Sequence, residues 1–233
     1  MATDTIHDAY REARLRLIEF GRSLDAAQAS TPVPALPGWT VKDTFSHLAG
    51  LATDTVGGNP PDGVPDDVYT ARQVAERSDH DLAQVLDEWE RSGPAVEELL
   101  AGLGKAAPRN IVIDIWSHEV DIRSALATRV PDGGMAERML DGTVRRAFGL
   151  GWASQGLAPL RIVVPGDEWV VGDGEPVGAL RSDLFELGRV MLGRRSPAQM
   201  AALAWEGVDP APWLEAVAFF GPAETDVVDS PRA

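Results

Sequence analysis

The chain has 233 residues, of which 44% are hydrophobic, so it is long and apolar enough for one large domain or two modest ones. Its formal net charge is -15 and no run of basic residues is present, which makes nucleic acid and anionic membrane surfaces poor partner candidates. It contains no cysteine, so disulfides, cysteine nucleophiles and cysteine-ligated metals are excluded, and any thiol chemistry must use a thiol from outside the chain.

The sequence predicts a soluble, cytoplasmic protein. Its start, MATDTIHDAYREARLRL, lacks the charged-then-apolar pattern of a secretory signal. No uninterrupted apolar run approaches the roughly 20 residues that a membrane-spanning helix needs. We therefore expect a monomer or homodimer whose partners are small molecules.

Helices separated by proline- and glycine-rich breaks are predicted from the N-terminus onward. The first spans residues 4–28, where apolar side chains recur at helical spacing, and the segment TPVPALPG ends it. The second spans residues 41–56, with Thr40 as its N-cap and Asp43 in its first turn.

A linker from residue 57 to about 78 is longer than ordinary helix connections, so we expect it to cross the end of a helical bundle. A short helix is predicted within it, over residues 68–76. Proline is tolerated in a first helical turn, and Pro108 is therefore expected to open a fourth long helix. The other predicted helices span residues 79–103, with Asp79 as the cap, and residues 134–154.

After Gly156 the sequence changes to short β-rich runs. LRIVV at 160–164 and EWVVG at 168–172 are joined by Pro-Gly-Asp, which is typical of a hairpin. Helical stretches follow at 182–192 and 211–219, and the residues between them favour another strand.

These elements predict the fold class α + α/β, with a helical bundle followed by a small α/β domain. The bundle is assigned to residues 1–155 and the α/β domain to residues 156–222. The polar segment 223–233 is predicted to be a flexible tail.

The segment IVIDIWSHEVDIRSAL, residues 111–126, places polar groups on a face of the fourth long helix that should be dry. At about 100° per residue, Asp114, His118 and Asp121 lie within or beside a stripe of isoleucine and leucine side chains. A buried carboxylate without a partner costs several kcal/mol, so a cation is expected beside it. Asp114 and His118 lie one helical turn apart and can therefore bind the same metal ion.

His47 lies at the edge of the apolar face of the second long helix. If this helix faces the fourth, His47 joins Asp114 and His118 in a set of two imidazoles and one carboxylate. Three protein ligands leave one coordination position open, as in catalytic zinc sites. Asp121 would hold the second ring nitrogen of His118 or serve as a further acid.

Interpretations without a metal stay open at this point. Asp114 could complement the helix dipole if Asn110 is the N-cap, and a single buried histidine is more often a satisfied core residue than a ligand. His7 and His80 are interpreted as surface residues. Core positions are predicted for the tryptophans Trp39, Trp89, Trp116 and Trp152.

WTVKDTFSHLAG (39–50) followed by IDIWSHEVDIRSAL (113–126) resembles the mycothiol-dependent maleylpyruvate isomerase family, a branch of the DinB/YfiT-like metalloproteins. The helical part is similar to the metal-binding four-helix bundle of that family, and the C-terminal part to its small, sterol-carrier-like α/β domain. The resemblance implies that His47, Asp114 and His118 bind a divalent metal, expected to be zinc.

The resemblance also implies an enzyme that uses mycothiol as cofactor or co-substrate. A metal-bound thiol is deprotonated at neutral pH and can attack a small electrophilic substrate. In an isomerase of the maleylpyruvate type the thiolate adds to a double bond, the bond rotates and the thiol leaves. A thiol S-transferase would instead keep the new C–S bond, and the sequence leaves both reactions open.

Three arginines are candidates for binding carboxylates of substrate or cofactor. Arg194 and Arg195, with Asp121, are the candidate catalytic residues, and Arg123 is the candidate for cofactor binding. Arg123 projects from the helix face opposite Asp114. This position favours a structural ion pair with a neighbouring helix over a role in binding a ligand.

Two other functions stay open. The protein could be a non-catalytic carrier of a metal or an apolar ligand, or a metal-dependent hydrolase that activates water. Turnover that depends on an added thiol would distinguish the thiol-dependent enzyme from both.

Overall fold

Residues 5–61 and 65–233 are described by the computed structural model. Their contacts divide them into two units, the first extending to Glu137 and including Asp229–Ala233, the second comprising Arg138–Val228. A helical N-terminal region is followed by a small mixed sheet with its own helices, which confirms the predicted fold class. The domain limits 1–155, 156–222 and 223–233 stay predictions.

The first unit is built from four long helices and three short ones. Side chains from each long helix meet in its core, where Leu17, Phe45, Trp89 and Ile115 are at most 1% exposed. The helices are α1 Ile6–Arg22, α2 Ala26–Ala29, α3 Val41–Val56, α4 Asp67–Ala75, α5 Leu82–Leu103, α6 Asn110–Ala125 and α7 Met135–Arg138. Both α5 and α6 pack against α1 and α3. No helix in the described ranges is long and apolar enough to span a bilayer.

The limits of α3 agree with the prediction because its N-terminal cap is local. The Thr40 side chain accepts a hydrogen bond from the Asp43 backbone N–H, and the Asp43 carboxylate accepts one from the Thr40 N–H. Two side chains three residues apart thus satisfy both backbone donors and fix where the helix begins.

Other helix ends were predicted wrongly. The first helix ends at Arg22, since Asp25 forms a new capping box that starts α2; residue 4, its predicted start, lies outside the described residues. Asp81, and not Asp79, caps α5, because its carboxylate and the Gln84 side chain satisfy each other's backbone N–H. Pro108 lies outside α6, which begins at Asn110 after a short 3₁₀ turn.

The linker contains α4, close to the predicted helix over 68–76, and α4 packs on α3. Gly50 on α3 makes this contact close. A Cβ atom at Gly50 would lie 2.8 Å from the Cβ of Gln73 and 2.8 Å from Nη1 of Arg77. Only a residue without a side chain therefore allows α4 to lie at this distance from α3.

The second unit contains a four-stranded sheet. Its strands are β1 Leu160–Val164, β2 Asp167–Val171, β3 Ala179–Arg181 and β4 Ala204–Glu206. They lie in the order β2-β1-β3-β4. The predicted hairpin is confirmed, since β1 and β2 pair antiparallel with Leu160 opposite Val171. The parallel neighbour of β1 is β3, a three-residue strand that the sequence did not reveal, and β4 pairs antiparallel with β3.

Four helices complete this unit: α8 Leu140–Gln155, α9 Leu184–Met191, α10 Pro197–Ala201 and α11 Leu214–Val217. The single helix predicted over 134–154 is two helices, α7 and α8, and α8 packs against α9 and α11. The helix predicted over 211–219 is a 3₁₀ turn followed by the four-residue α11.

The last residues of the chain contact the first unit. Val130 donates to the carbonyl oxygen of Pro231 at 3.1 Å and accepts from the N–H of Ala233 at 2.8 Å, and the Ser230 N–H donates to Ser124 Oγ. The end of the chain thus has defined partners, while the flexibility of 223–233 stays a prediction.

Candidate metal centre

Three buried or partly buried side chains converge where α3 faces α6. His47 lies in the middle of α3, and Asp114 and His118 lie one turn apart on α6, so both project from the same face of that helix. One ligand atom from each residue lies within 4.8 Å of the others. The structure therefore brings together the three residues that the sequence singled out from two distant segments.

The distances at this cluster suit a single divalent ion. Nε2 of His47 is 3.3 Å from Oδ2 of Asp114, and Nε2 of His118 is 3.5 Å from Oδ1 of the same carboxylate. A tetrahedral ion with bonds of about 2.1 Å separates its ligand atoms by roughly 3.4 Å. The donor set of two imidazoles and one carboxylate is also one that such ions accept. The residues present thus fit a metal in both chemistry and spacing.

The charges at the cluster favour an ionised carboxylate. Burial alone would raise the pKa of Asp114, but the attraction of His118 and His47 and their hydrogen bonds outweigh it and hold that pKa well below its usual range. Burial likewise opposes a charge on His118, whereas the neighbouring Asp114 raises the pKa of this imidazole. The Asp114 carboxylate is consequently ionised at neutral pH.

His47 is held from behind by a residue of α4. Its Nδ1 lies 2.7 Å from Oε1 of Gln73, and Nε2 of Gln73 in turn donates to Oδ2 of Asp54 at 2.9 Å. A neutral His47 with its proton on Nδ1 has a lone pair on Nε2, the atom that faces Asp114.

Asp121 lies beside His118, as the sequence predicted. Its Oδ2 is 3.3 Å from Nδ1 of His118. The Asp121 carboxylate is fully buried. Its catalytic role stays a prediction.

Trp39 lies against both histidines rather than in the hydrophobic core. Its ring centroid is 5.5 Å from that of His47 and 6.3 Å from that of His118, with the latter ring nearly parallel. The side chain is half-buried. The prediction of a core position is therefore wrong for Trp39, while it is confirmed for Trp89, Trp116 and Trp152, which are at most 4% exposed.

Arg123 points toward α1. Its Nε donates to Oε1 of Glu119 at 2.9 Å, and its guanidinium carbon lies 4.2 Å from the centroid of the Phe20 ring. This ion pair lies within α6, whereas the ion pair that the sequence favoured was with a neighbouring helix; it is the contact with Phe20 that reaches α1. A role of Arg123 in cofactor binding stays a prediction.

Arg194 and Arg195 both lie in the second unit. Arg194 donates to the carbonyl oxygen of Leu192 at 2.6 Å. Arg195 is buried and donates through two nitrogens, each at 2.7 Å, to the carboxylate of Glu186. This bidentate pair favours a structural role for Arg195, and the catalytic role of both arginines stays a prediction.

Sequence reasoning missed Gln73 and Asp54. Asp54 follows His47 by seven residues, which places both on one face of α3 and was a usable signal. Gln73 gave no such signal, because nothing in the linker sequence shows which helix α4 packs against.

The sequence and the fold both match known proteins. Residues 10–132, which contain His47, Asp114 and His118, match the family model described as the mycothiol maleylpyruvate isomerase N-terminal domain. The chain is similar to the crystal structure of the mycothiol-dependent maleylpyruvate isomerase, with a TM-score of 0.57 at 15% identity. A histidine-to-alanine mutant of that isomerase gives a TM-score of 0.56 at 14% identity. Each comparison covers 82% of this chain and 92% of the other. No curated protein matches the sequence at a significant level.

Proposed function

This chain belongs to the mycothiol maleylpyruvate isomerase N-terminal domain family, and on that premise we propose that it is a metal-dependent enzyme that uses mycothiol to isomerise maleylpyruvate or a similar cis-unsaturated diacid. The observation that carries the proposal is the convergence of His47, Asp114 and His118 within 4.8 Å. Nitrogen and carboxylate ligands without cysteine make zinc the expected metal.

The chemistry needs a nucleophile that the chain itself does not contain. A divalent ion on these ligands would supply the Lewis acid that keeps a bound thiol deprotonated at neutral pH. Since the chain has no cysteine, the sulfur must come from a small molecule such as mycothiol. The family match, rather than the ligand set, supports the thiol-dependent interpretation over a hydrolase.

The ligand charges favour an anionic reaction partner. Asp114 contributes one negative charge and two neutral imidazoles contribute none, so the centre with a divalent ion keeps about one positive charge. That charge would stabilise a bound thiolate relative to the neutral thiol. The protein thus shifts the equilibrium of the thiol toward its nucleophilic form.

Access to the centre is on the side of Asp114. The Asp114 side chain is 29% exposed, whereas those of His47 and His118 are 2% and 7% exposed. Trp39 lies against the two imidazoles and keeps water away from that side. Thiol and substrate would therefore approach past the carboxylate, while Asp121 supports the ring of His118 from behind.

In the proposed reaction the thiolate sulfur adds to one carbon of the double bond, and the electron pair moves to the adjacent carbonyl group. Rotation about the resulting single bond and return of the electron pair expel the thiolate and leave the trans isomer. The thiol is regenerated, so an isomerase consumes none. A thiol S-transferase would consume one thiol for each turnover.

The test combines metal analysis with thiol-dependent turnover. Purified protein is expected to contain about one divalent ion per chain by elemental analysis. It should convert the cis diacid to its trans isomer, separated by chromatography, with mycothiol present and the free thiol concentration unchanged. Bound metal without turnover of any thiol–electrophile pair would overturn the proposal in favour of a carrier. Isomerisation that is equally fast without thiol would overturn the role of mycothiol, and hydrolysis products formed without thiol would favour a hydrolase.

A further inference from the structure

Gln73 is buried in a way that local sequence does not require. The structure describes every residue of α4, and among them Gln73 alone is buried, at 0% exposure. A polar amide at such a position needs partners for both of its ends. Its oxygen is 2.7 Å from Nδ1 of His47, and its nitrogen is 2.9 Å from Oδ2 of Asp54.

Asp54 fixes which end of the amide faces the histidine. An ionised carboxylate only accepts hydrogen bonds, and Asp54 also accepts one from Nη2 of Arg72 at 3.0 Å. A reversed Gln73 amide would place its oxygen against the carboxylate oxygen of Asp54, two acceptors without a proton between them. The Gln73 oxygen must therefore face His47, where it can only accept a hydrogen bond from the N–H at Nδ1.

Gly50 brings the amide within reach of the imidazole. It lies on α3 one turn beyond His47, and a Cβ atom there would come within 2.8 Å of the Cβ and 3.0 Å of the Cγ of Gln73. Contacts this short do not occur in proteins, so a larger residue would push α4 outward. The close approach of two helices and the hydrogen bond to His47 thus depend on each other.

We propose that Gln73 is a positioning residue of the metal centre. With an ion bound, the Gln73 oxygen would accept the hydrogen bond from Nδ1 of His47 and so leave the lone pair on Nε2 for the ion. Asp54 orients the Gln73 amide, and Gly50 lets α4 approach. This inference rests on the metal centre proposed above, to which it adds the linker helix as a functional element.

The direct test is Gln73→Leu, which keeps the approximate size of the side chain and removes the acceptor. The hydrogen bond from Nδ1 of His47 to Gln73 is read in the zinc-bound protein, from the rate at which the Nδ1 proton exchanges with water, because without the ion Nε2 faces the Asp114 carboxylate and would itself carry a proton. Zinc affinity is measured by competition with a chelator. We expect faster exchange of the Nδ1 proton and an affinity about 10- to 100-fold weaker, as is typical when the partner of a metal-binding histidine is removed.

Arg72→Ala is the matched control on the same helix. It removes an ion pair between α4 and Asp54 but leaves the bond between Gln73 and His47 in place. Exchange of the Nδ1 proton should stay slow, and the affinity should change far less than in Gln73→Leu. An equal loss in both variants would overturn the proposal, because general docking of α4 would then be sufficient to explain it.

A second pair of variants separates positioning from folding. Asp54→Asn preserves the volume but lets the Gln73 amide rotate, so it should also speed exchange of the Nδ1 proton and weaken zinc binding. Adding Gln73→Glu to Asp54→Asn restores an acceptor toward His47, and the amide introduced at position 54 can donate to the other carboxylate oxygen. Exchange rate and affinity should then recover.

Two results would contradict the inference. A folded Gln73→Leu protein that keeps both slow exchange of the Nδ1 proton and the wild-type zinc affinity overturns it, as does failure of the double variant to recover the affinity that Asp54→Asn loses. Wild-type protein that binds no divalent ion overturns the proposed function instead, and that outcome is recognised in the wild type alone, before any variant is compared.

Discussion

Single residues at the centre divide into those that can bind a metal and those that set their orientation. Asp114 bridges the two histidines, since each of its carboxylate oxygens faces the Nε2 atom of a different imidazole. Gln73 and Asp121 face the other ring nitrogens, Nδ1 of His47 and of His118. Each imidazole is therefore contacted on both sides by a polar group, the arrangement that orients histidine ligands in metal sites.

His118→Ala is expected to abolish stoichiometric metal binding. The substitution removes one of the three candidate ligands and leaves Asp114 with a single histidine partner, too few protein donors for a tight zinc site. Elemental analysis of the purified variant, after dialysis against metal-free buffer, measures this. His80→Ala, at an exposed histidine, is the matched control and should retain the metal. A His118→Ala protein that still holds one ion per chain would remove His118 from the ligand set.

At the scale of helices, the contact between α3 and α4 carries the support of His47. Its closeness depends on Gly50, and the buried side of α4 consists of a hydrogen-bonding amide rather than an apolar stripe. Helix α4 is therefore attached to α3 by directional contacts, among them Gln73 and Arg72 to Asp54. Directional contacts of this kind tolerate little displacement.

Gly50→Ala is expected to destabilise the first unit. Alanine favours a helix interior over glycine by about 1 kcal/mol, but overpacking against the Gln73 Cβ costs about 1–3 kcal/mol, so the steric effect should prevail. Chemical denaturation measures the free energy of unfolding. Gly102→Ala is the control, since its added methyl group meets nothing within 4 Å, and it should be neutral or slightly stabilising. Equal stabilisation of both variants would show that α4 adjusts freely.

At the scale of the whole molecule, the first unit combines an apolar core with buried polar groups. Tyr10 of α1 is 1% exposed, and its hydroxyl accepts a hydrogen bond from Nε1 of Trp89 on α5 at 3.2 Å. Burial outweighs this hydrogen bond and raises the pKa of Tyr10 to about 12. The core thus contains a group whose ionisation would lower the stability of the bundle.

The stability of the protein is expected to fall at high pH because of Tyr10. A pKa raised from 10.0 to about 12 means that the folded state holds this proton more tightly than the unfolded state. The stabilisation is complete below pH 10 and is lost as the pH rises to about 12, at about 1.4 kcal/mol for each unit of pKa difference. Urea denaturation across this range measures the loss.

Tyr10→Phe provides the comparison for that pH dependence. The variant should lose about 1 kcal/mol at neutral pH with the hydrogen bond from Trp89, yet show a shallower decline between pH 10 and 12. Tyr69, whose pKa is also raised by burial, contributes the same sign and should account for part of the remaining slope. Identical slopes in variant and wild type would exclude Tyr10 as the source.

Local features of the sequence determined much of the fold and part of the candidate site. The limits of α3 follow from Thr40 and Asp43, three residues apart, and the shared face of Asp114 and His118 follows from the period of one helix. The β1–β2 hairpin follows from its turn residues. Each depends on groups a few residues apart, whose geometry the helix or the turn itself sets.

Only the tertiary structure decided which distant segments meet. His47 and Asp114 are 67 residues apart and His47 and Gln73 are 26 apart, so both contacts depend on how helices pack and not on any local spacing. The position of Trp39 over the histidines and the pairing of the three-residue strand β3 have the same origin. The sequence by itself thus determined the long helices and the types of the candidate ligands. Packing decided that Gln73 lies behind His47 at the candidate metal centre. The reason is that packing energy depends on shape complementarity between surfaces far apart in the chain.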